Sequence, residues 1–232
     1  MLKKTLLIAI FFSLQSFAQD FDYKNYSQFL KKYVSESGNV NYDKIVINKA
    51  ELDLITTQFQ KNVPVAGWSK SDIMAYYINL YNVFTIKTII DNYPVKSIKD
   101  IDKVWDKDFI VLGKKAYSLG DIEHKILRKM NDPRIHFAIN CASFSCPKLN
   151  NNVYIASKLD IQLDAAAKEF INNDDKNIVA KIDLKLSNIF NWFADDFKKQ
   201  GSIIDFLNKY ANIKIDKKAK IKFLEYNWSL NK

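Results

Sequence analysis

Arginine is scarce here: Arg128 and Arg134 are the two in a chain of 232 residues. Nucleic-acid binders lean on arginine forks for phosphates and bases, and they gather basic residues on one face. The net charge of +9 instead comes from lysines spread along the sequence, denser between Lys214 and Lys222 and between Lys96 and Lys115. A solvated surface is expected from this, and no nucleic-acid partner. Glycine and proline are also few, 5 and 4, against 48% hydrophobic and 14% aromatic residues. That balance argues against disorder and for one globular domain over residues 19–232. The N-terminal apolar run from Thr5 to Leu14 is too short to span a bilayer. With Lys3-Lys4 before it and Ser16-Phe17-Ala18 after it, residues 1–18 read as a signal peptide, and no cysteine follows to carry a lipid. Export to the periplasm or beyond is the expectation, with no integral membrane segment after cleavage.

Cysteine and histidine occur twice each. Cys141 and Cys146 lack C-x-x-C spacing, and with His124 and His136 they do not fall at zinc-finger intervals, so neither a metal nor another cofactor is indicated. In an oxidising compartment the two cysteines could close a small disulfide loop, which would silence any thiolate. The alternative is a free, reactive Cys141.

What the chain does have is patterned apolar sequence. Residues 21–34 place Tyr23, Tyr26, Phe29, Leu30 and Tyr33 at helical intervals. Val40 to Tyr42 could pair as a brief strand before a helix from about Asn48 to Gln60. Ser69 and Asp72 form a capping box that opens a helix, hydrophobic nearly all round, from about Asp72 to Asn92; such a helix belongs at the centre of a fold. Its Asn79 and Asn82 share a face and need buried partners, either neighbouring loops or a catalytic imidazole. Residues 103–117 read as a hairpin turning at Gly113. Ser118 and Asp121 start another helix, on which His124 and Arg128 face the same way. Arg134 to Asn140 alternates like a strand that delivers Cys141. Capping boxes at Ser157/Asp160 and Ser202/Asp205 predict further helices, with a strand near Asn177–Ile182, a short helix at Asn188–Phe197 and a final strand from Ile221 to Trp228. The layout is α+β: a central buried helix, surrounding helices and a small, mostly antiparallel sheet.

Thiol catalysis needs a cysteine with a depressed pKa, a nearby histidine and a group fixing the imidazole. Cys141, where a strand ends, is the preferred nucleophile because free backbone N–H groups there, near Ala142, could hold an oxyanion. His124 is the preferred base. An extended segment would put His136 about 16 Å from Cys141 along the strand, which disfavours direct partnership. Asn79 or Asn82, or Glu123 if its helix is distorted, would orient the ring, although Glu123 more naturally pairs with Arg128, Arg134 or a lysine.

Three motifs, AYYINLYNVFTI at 75–86, SLGDIEHKILR at 118–128 and DPRIHFAINCASFSCP at 132–147, stand in the order seen in the family called domain of unknown function 547, which the chain resembles over about residues 65–190. The resemblance singles out Asn79, Asn82, Glu123, His124, Arg128 and Cys141. Plant members often lack equivalents of His136 and Cys146, which favours His124 and Cys141. The family implies no established activity. A papain-like or transglutaminase-like thiol hydrolase is an analogy, and here His precedes Cys, the reverse of papain.

Two functions compete on this reading. One is an exported Cys-His hydrolase or acyl transferase acting on an amide or ester bond of an unidentified substrate. The other is a non-enzymatic envelope module that binds a peptide or glycan along aromatics such as Trp68, Trp105, Trp192 and Trp228, with Cys141–Cys146 a disulfide. A metal hydrolase is weakest, because adjacent residues such as Glu123 and His124 diverge on a helix.

Overall fold

The computed structural model describes residues 21–232; the expected signal peptide lies outside the described residues. Helix α1 (Lys24–Tyr33) buries Tyr26, Phe29, Leu30 and Tyr33 on one side, as its spacing predicts. Instead of a strand at 40–42, Val40 makes a single bridge to Val34, and a short helix α2 (Tyr42–Ile47) follows, capped by Asn41. Then comes α3 (Lys49–Lys61).

The central element is α4 (Lys70–Asp91), buried from Met74 to Ile90 with few interruptions. Ser69 Oγ accepts from the Asp72 N–H at 3.1 Å, while the Asp72 carboxylate accepts from the Ser69 N–H at 3.0 Å. Two of the donors left free at the helix start are thereby satisfied. Ser69→Ala should cost about 1 kcal/mol, read as a lower urea midpoint with an unchanged slope.

Strands β1 (Ile110–Leu112) and β2 (Lys115–Tyr117) pair antiparallel around Gly113, as the hairpin pattern indicates. Beyond them, Asp121–Leu127 is a π-helix: the Arg128 N–H reaches back five residues to the Glu123 carbonyl. Such widened turns are rare and are found frequently at functional sites. The Ser118/Asp121 pair does cap this segment, at 3.0 Å for Asp121 N–H to Ser118 Oγ.

The expected strand at 134–140 is absent. Residues Pro133–Phe137 form a 3-10 helix capped by Asp132, whose Oδ1 accepts from the Arg134 N–H at 3.0 Å. Proline at the first position, with φ already helical, favours this turn. The alternation has another cause: Ile135 and Ile139 pack into one apolar cluster and Phe137 into a second. Arg134 bonds Asp132 at 2.7 Å and Asp164 at 2.7 Å, tying the turn to α5 (Leu159–Ile171). That helix lacks the expected Ser157/Asp160 box; a 3-10 turn at Ala156–Lys158 leads into it, and its N-cap is Lys158.

The second cluster gathers α5, α6 (Ile189–Trp192), α7 (Ala194–Phe197) and α8 (Ile203–Leu207), the last opened by the expected Ser202/Asp205 box. The strand expected at 177–182 falls instead at β3 (Asp183–Leu186), with Ile178 making one bridge to Lys185. The closing strand is shorter than expected: β4 is Lys220–Phe223, and it pairs with β3 in parallel. The fold is α+β around a buried helix, with two small sheets among the described residues, one antiparallel and one parallel. No helix among the described residues is long and apolar enough to cross a membrane.

Candidate functional site

Where the two apolar clusters meet, a cavity of about 210 Å³ is lined by both cysteines and both histidines, together with Tyr81, Glu123 and an aromatic rim of Trp105, Trp192, Phe193, Tyr226 and Trp228. Six stretches supply it: α4, the segment of Trp105 before β1, the π-helix, the 3-10 turn with the cysteine loop after it, α6 with Phe193, and the segment of Tyr226 and Trp228 that follows β4.

The cysteine loop is held by side-chain amides. Asn82 donates to the Ala138 carbonyl at 2.9 Å and accepts from the Asn140 N–H at 2.8 Å. Asn79 does the same for Tyr154, at 2.7 and 3.1 Å. Both amides are therefore spent on loop backbone, the first of the two roles open to them. Asn140 donates to the Pro147 carbonyl at 2.7 Å and accepts from the Ala142 N–H at 2.8 Å. The Ala142 N–H, expected to be free for an oxyanion, is thus engaged. Ala142 itself is buried with φ of 58°, a conformation costing a non-glycine residue about 1–2 kcal/mol.

Cys141 and Cys146 form a disulfide, and neither is free. The Cys141 N–H donates to Cys146 Sγ at 3.0 Å. From the other side the Tyr226 hydroxyl lies 3.2 Å from Cys146 Sγ and 3.4 Å from Cys141 Sγ. Tyr226 is carried by the C-terminal segment, which runs beside the loop: the Phe144 N–H donates to Ser229 O at 2.7 Å and the Ser145 N–H to Asn227 O at 3.1 Å.

A polar chain crosses behind the cavity. Asp196 Oδ2 accepts from Arg128 Nε at 2.6 Å and faces His136 Nε2 at 2.9 Å, while Lys199 Nζ lies 3.1 Å from Oδ1. Hydrogen bonds from His136, then Arg128 and Lys199, hold the Asp196 carboxyl well below the usual carboxylate range. Arg128 Nη1 lies 3.2 Å from His124 Nδ1. Burial, then Arg128, lowers the His124 pKa; burial also lowers that of His136, against the pull of Asp196. His136 is 2% exposed and stacked on Phe193 at 3.9 Å, and its Nδ1 has no hydrogen-bond partner among the described residues.

Glu123 accepts from the Tyr81 hydroxyl at 3.3 Å rather than pairing with Arg128, Arg134 or a lysine. Burial pushes its carboxyl from 4.5 up to about 7, opposed by the Tyr81 bond. Between those values the unfolded chain gives up a proton that the fold retains, so stability falls as pH rises through that window. Glu123→Gln should remove the dependence and stabilise the protein by about 2–3 kcal/mol at pH 8, visible in urea melts run at pH 5 and pH 8.

Residues 65–171 match the profile of the family described as protein of unknown function, DUF547. The chain resembles the DUF547 family. No curated protein and no solved structure matches it. The DUF547 match ends short of the expected residue 190, so it takes in α4, the π-helix, the cysteine loop and α5 but not Asp196, Tyr226, Trp192 or Trp228. Sequence reasoning named none of Asp196, Tyr226 or Tyr81 for the site. Asp196 sits in an acidic pair on a four-residue helix, and nothing local marks it. Of the named residues, the structure brings Cys141, His124 and Glu123 to the cavity wall. Arg128 stands behind them on Asp196, and Asn79 and Asn82 support the loops.

Proposed function

We propose that the cavity is the active site of an exported thiol hydrolase or acyl transferase acting on amide or ester bonds, with Cys141 as nucleophile once its disulfide is open. The observation that carries this reading is the convergence of both sulfurs and both imidazoles on one cavity. Acyl transfer needs a base to take the thiol proton and an acid to return one to the leaving group. The two imidazoles divide these tasks by tautomer. His136 faces the Asp196 carboxylate through Nε2, so that nitrogen carries the hydrogen and Nδ1 keeps its lone pair. His136 is therefore the base, and Asp196, not Asn79 or Asn82, orients it. Arg128 can only donate, so the His124 nitrogen beside it accepts and the other ring nitrogen carries the hydrogen. His124, the expected base, is then better suited to donate, to the oxyanion and to the departing group.

The 16 Å objection to His136 rested on an extended segment; residues Pro133–Phe137 are instead a 3-10 turn, and His136 and Cys141 both line the cavity. Export is supported by the pattern from Lys3 to Ala18 and by a disulfide of the kind that persists in oxidising compartments. After reduction with a dithiol, an aryl ester should leave an acyl group on Cys141, read by intact mass and peptide mapping, and Cys141→Ser should leave none. Acylation confined to lysines, or none, would sink the proposal.

A second reading has its own support. Trp192 is 46% exposed and stacks with Trp228 at 5.6 Å, and the tilted ring of Tyr226 lies 4.8 Å from it. Such a shelf suits the rings of a peptide or glycan held by a non-enzymatic envelope module with the disulfide closed. Quenching of tryptophan fluorescence by such a ligand, equal in oxidised and reduced protein and unaccompanied by acylation, would favour it.

A further inference from the structure

The two sulfurs of the disulfide stand in unlike surroundings. Cys146 is buried, and its sulfur meets two donors, the Cys141 N–H at 3.0 Å and the Tyr226 hydroxyl at 3.2 Å. Cys141 is partly exposed on the cavity wall, with the Tyr226 and Ser143 hydroxyls at 3.4 and 3.5 Å from its sulfur. Thiol–disulfide exchange distinguishes the partners: an incoming thiolate attacks one sulfur, and the other departs with the electron pair. Attack goes to the sulfur that can be reached, and departure is easiest for the sulfur whose negative charge is already met by donors.

We infer that this disulfide is redox-active, with Cys141 the sulfur that receives an incoming low-molecular-weight thiol and Cys146 the leaving thiolate. The incoming sulfur bonds to Cys141 Sγ and the Cys141–Cys146 bond breaks. Its electron pair stays on Cys146, where the Cys141 N–H and Tyr226 O–H hold the charge. A second thiolate then attacks the outer sulfur of the mixed disulfide, which frees Cys141 and releases the oxidised thiol pair. Two thiols are consumed, one external disulfide is made, and their protons end on the two cysteines.

This exchange goes beyond acyl transfer and does not require it, although it would supply the free Cys141 which that reading needs. Tyr226 is then a positioning residue for the exchange. It joins the sulfurs to the C-terminal segment, 85 residues from Cys141 and 80 from Cys146.

The test uses the full chain, reduced glutathione as the thiol, acid quenching and peptide mapping of the mixed disulfide. Glutathione should be found on Cys141. With oxidised glutathione, prereduced Cys146→Ser should take up one glutathione at least tenfold faster than prereduced Cys141→Ser. Tyr226→Phe should slow opening of the native disulfide about tenfold, the loss of one charge-assisted hydrogen bond to the leaving sulfur. Glutathione mapped to Cys146, equal rates in the two single-cysteine variants, or an unchanged rate in Tyr226→Phe would overturn the inference. So would a bond that opens only when the chain unfolds. Because the mapping uses unmutated protein, it decides the matter even if a variant fails to fold. Exchange at Cys141 in a protein whose reduced form acylates nothing would refute acyl transfer alone; acylation without directed exchange would refute this inference alone.

Discussion

Asp196→Ala is expected to destabilise the protein by about 3 kcal/mol or more, the usual cost of removing one partner from a buried charge pair. Asp196 is 6% exposed and serves Arg128, His136 and Lys199 together. Its removal leaves the Arg128 guanidinium without its carboxylate and strands the His136 N–H among aromatic rings. Arg128 keeps some access to water, with its side chain 29% exposed, which holds the effect toward the lower end. Asp196→Asn should be milder, about 1–2 kcal/mol, because an amide oxygen in the place of Oδ2 can still accept from both Arg128 and His136. The pH dependence has a definite sign. A carboxyl held below its unfolded value of 3.8 adds stability that is present above that value and is lost as pH falls through the folded one. His136, kept neutral by burial, adds a second loss that begins as pH falls through 6.5, where the unfolded imidazole takes up its proton. Urea melts from pH 8 to pH 3 should show both steps in the natural chain, and Asp196→Asn should lack the lower one.

The second large effect concerns rate. In the reduced protein, His136→Gln should slow acylation of Cys141 by an aryl ester about 10²–10⁴-fold, the range for loss of a positioned general base. His124→Gln should hardly change that reaction, because an aryloxide leaves without being protonated. Toward an amide of the same acyl group, whose amine must leave as a neutral molecule, His124→Gln should be nearly as damaging as His136→Gln. Equal effects of the two variants on the aryl ester, or a larger one for His124, would reverse the assignment of base and acid. Stopped-flow release of the aryl alcohol measures the first comparison directly.

Much of the scaffold was legible because its signals are local. The serine–aspartate boxes at Ser69/Asp72 and Ser202/Asp205 form as their spacing indicates, and the all-round apolar stretch after Ser69 is the central helix. Residues 134–140 misled because alternation records which side chains meet apolar neighbours, not which backbone carries them. Ile135 and Ile139 face one cluster and Phe137 the other; a strand would carry all three on one face, whereas a proline-led 3-10 turn sends them to different sides. The parallel pairing of β3 with β4 joins residues 183–186 to 220–223, beyond what local patterning can specify.

The site divides along the same line. The π-helix and the cysteine loop could be picked out because each holds its chemistry within a short run of sequence. Asp196 meets His136 from 60 residues away, and only the unmet need of an imidazole for a carboxylate would have prompted a search for it. Tyr226 was hidden in a terminal segment that read simply as a strand, whereas its contact with both sulfurs depends on that segment running alongside the cysteine loop.

The most direct measurement is the rate of Cys141 alkylation by iodoacetamide between pH 5 and pH 10 in Cys146→Ser, where no disulfide can form, with and without His136→Gln. A thiol paired with His136 should already react quickly at pH 6–7, where an ordinary thiol of pKa about 8.5 is slow, and the substitution should abolish that reactivity. An ordinary thiol profile, the same with and without His136, would contradict the assignment of Cys141 and His136 as nucleophile and base.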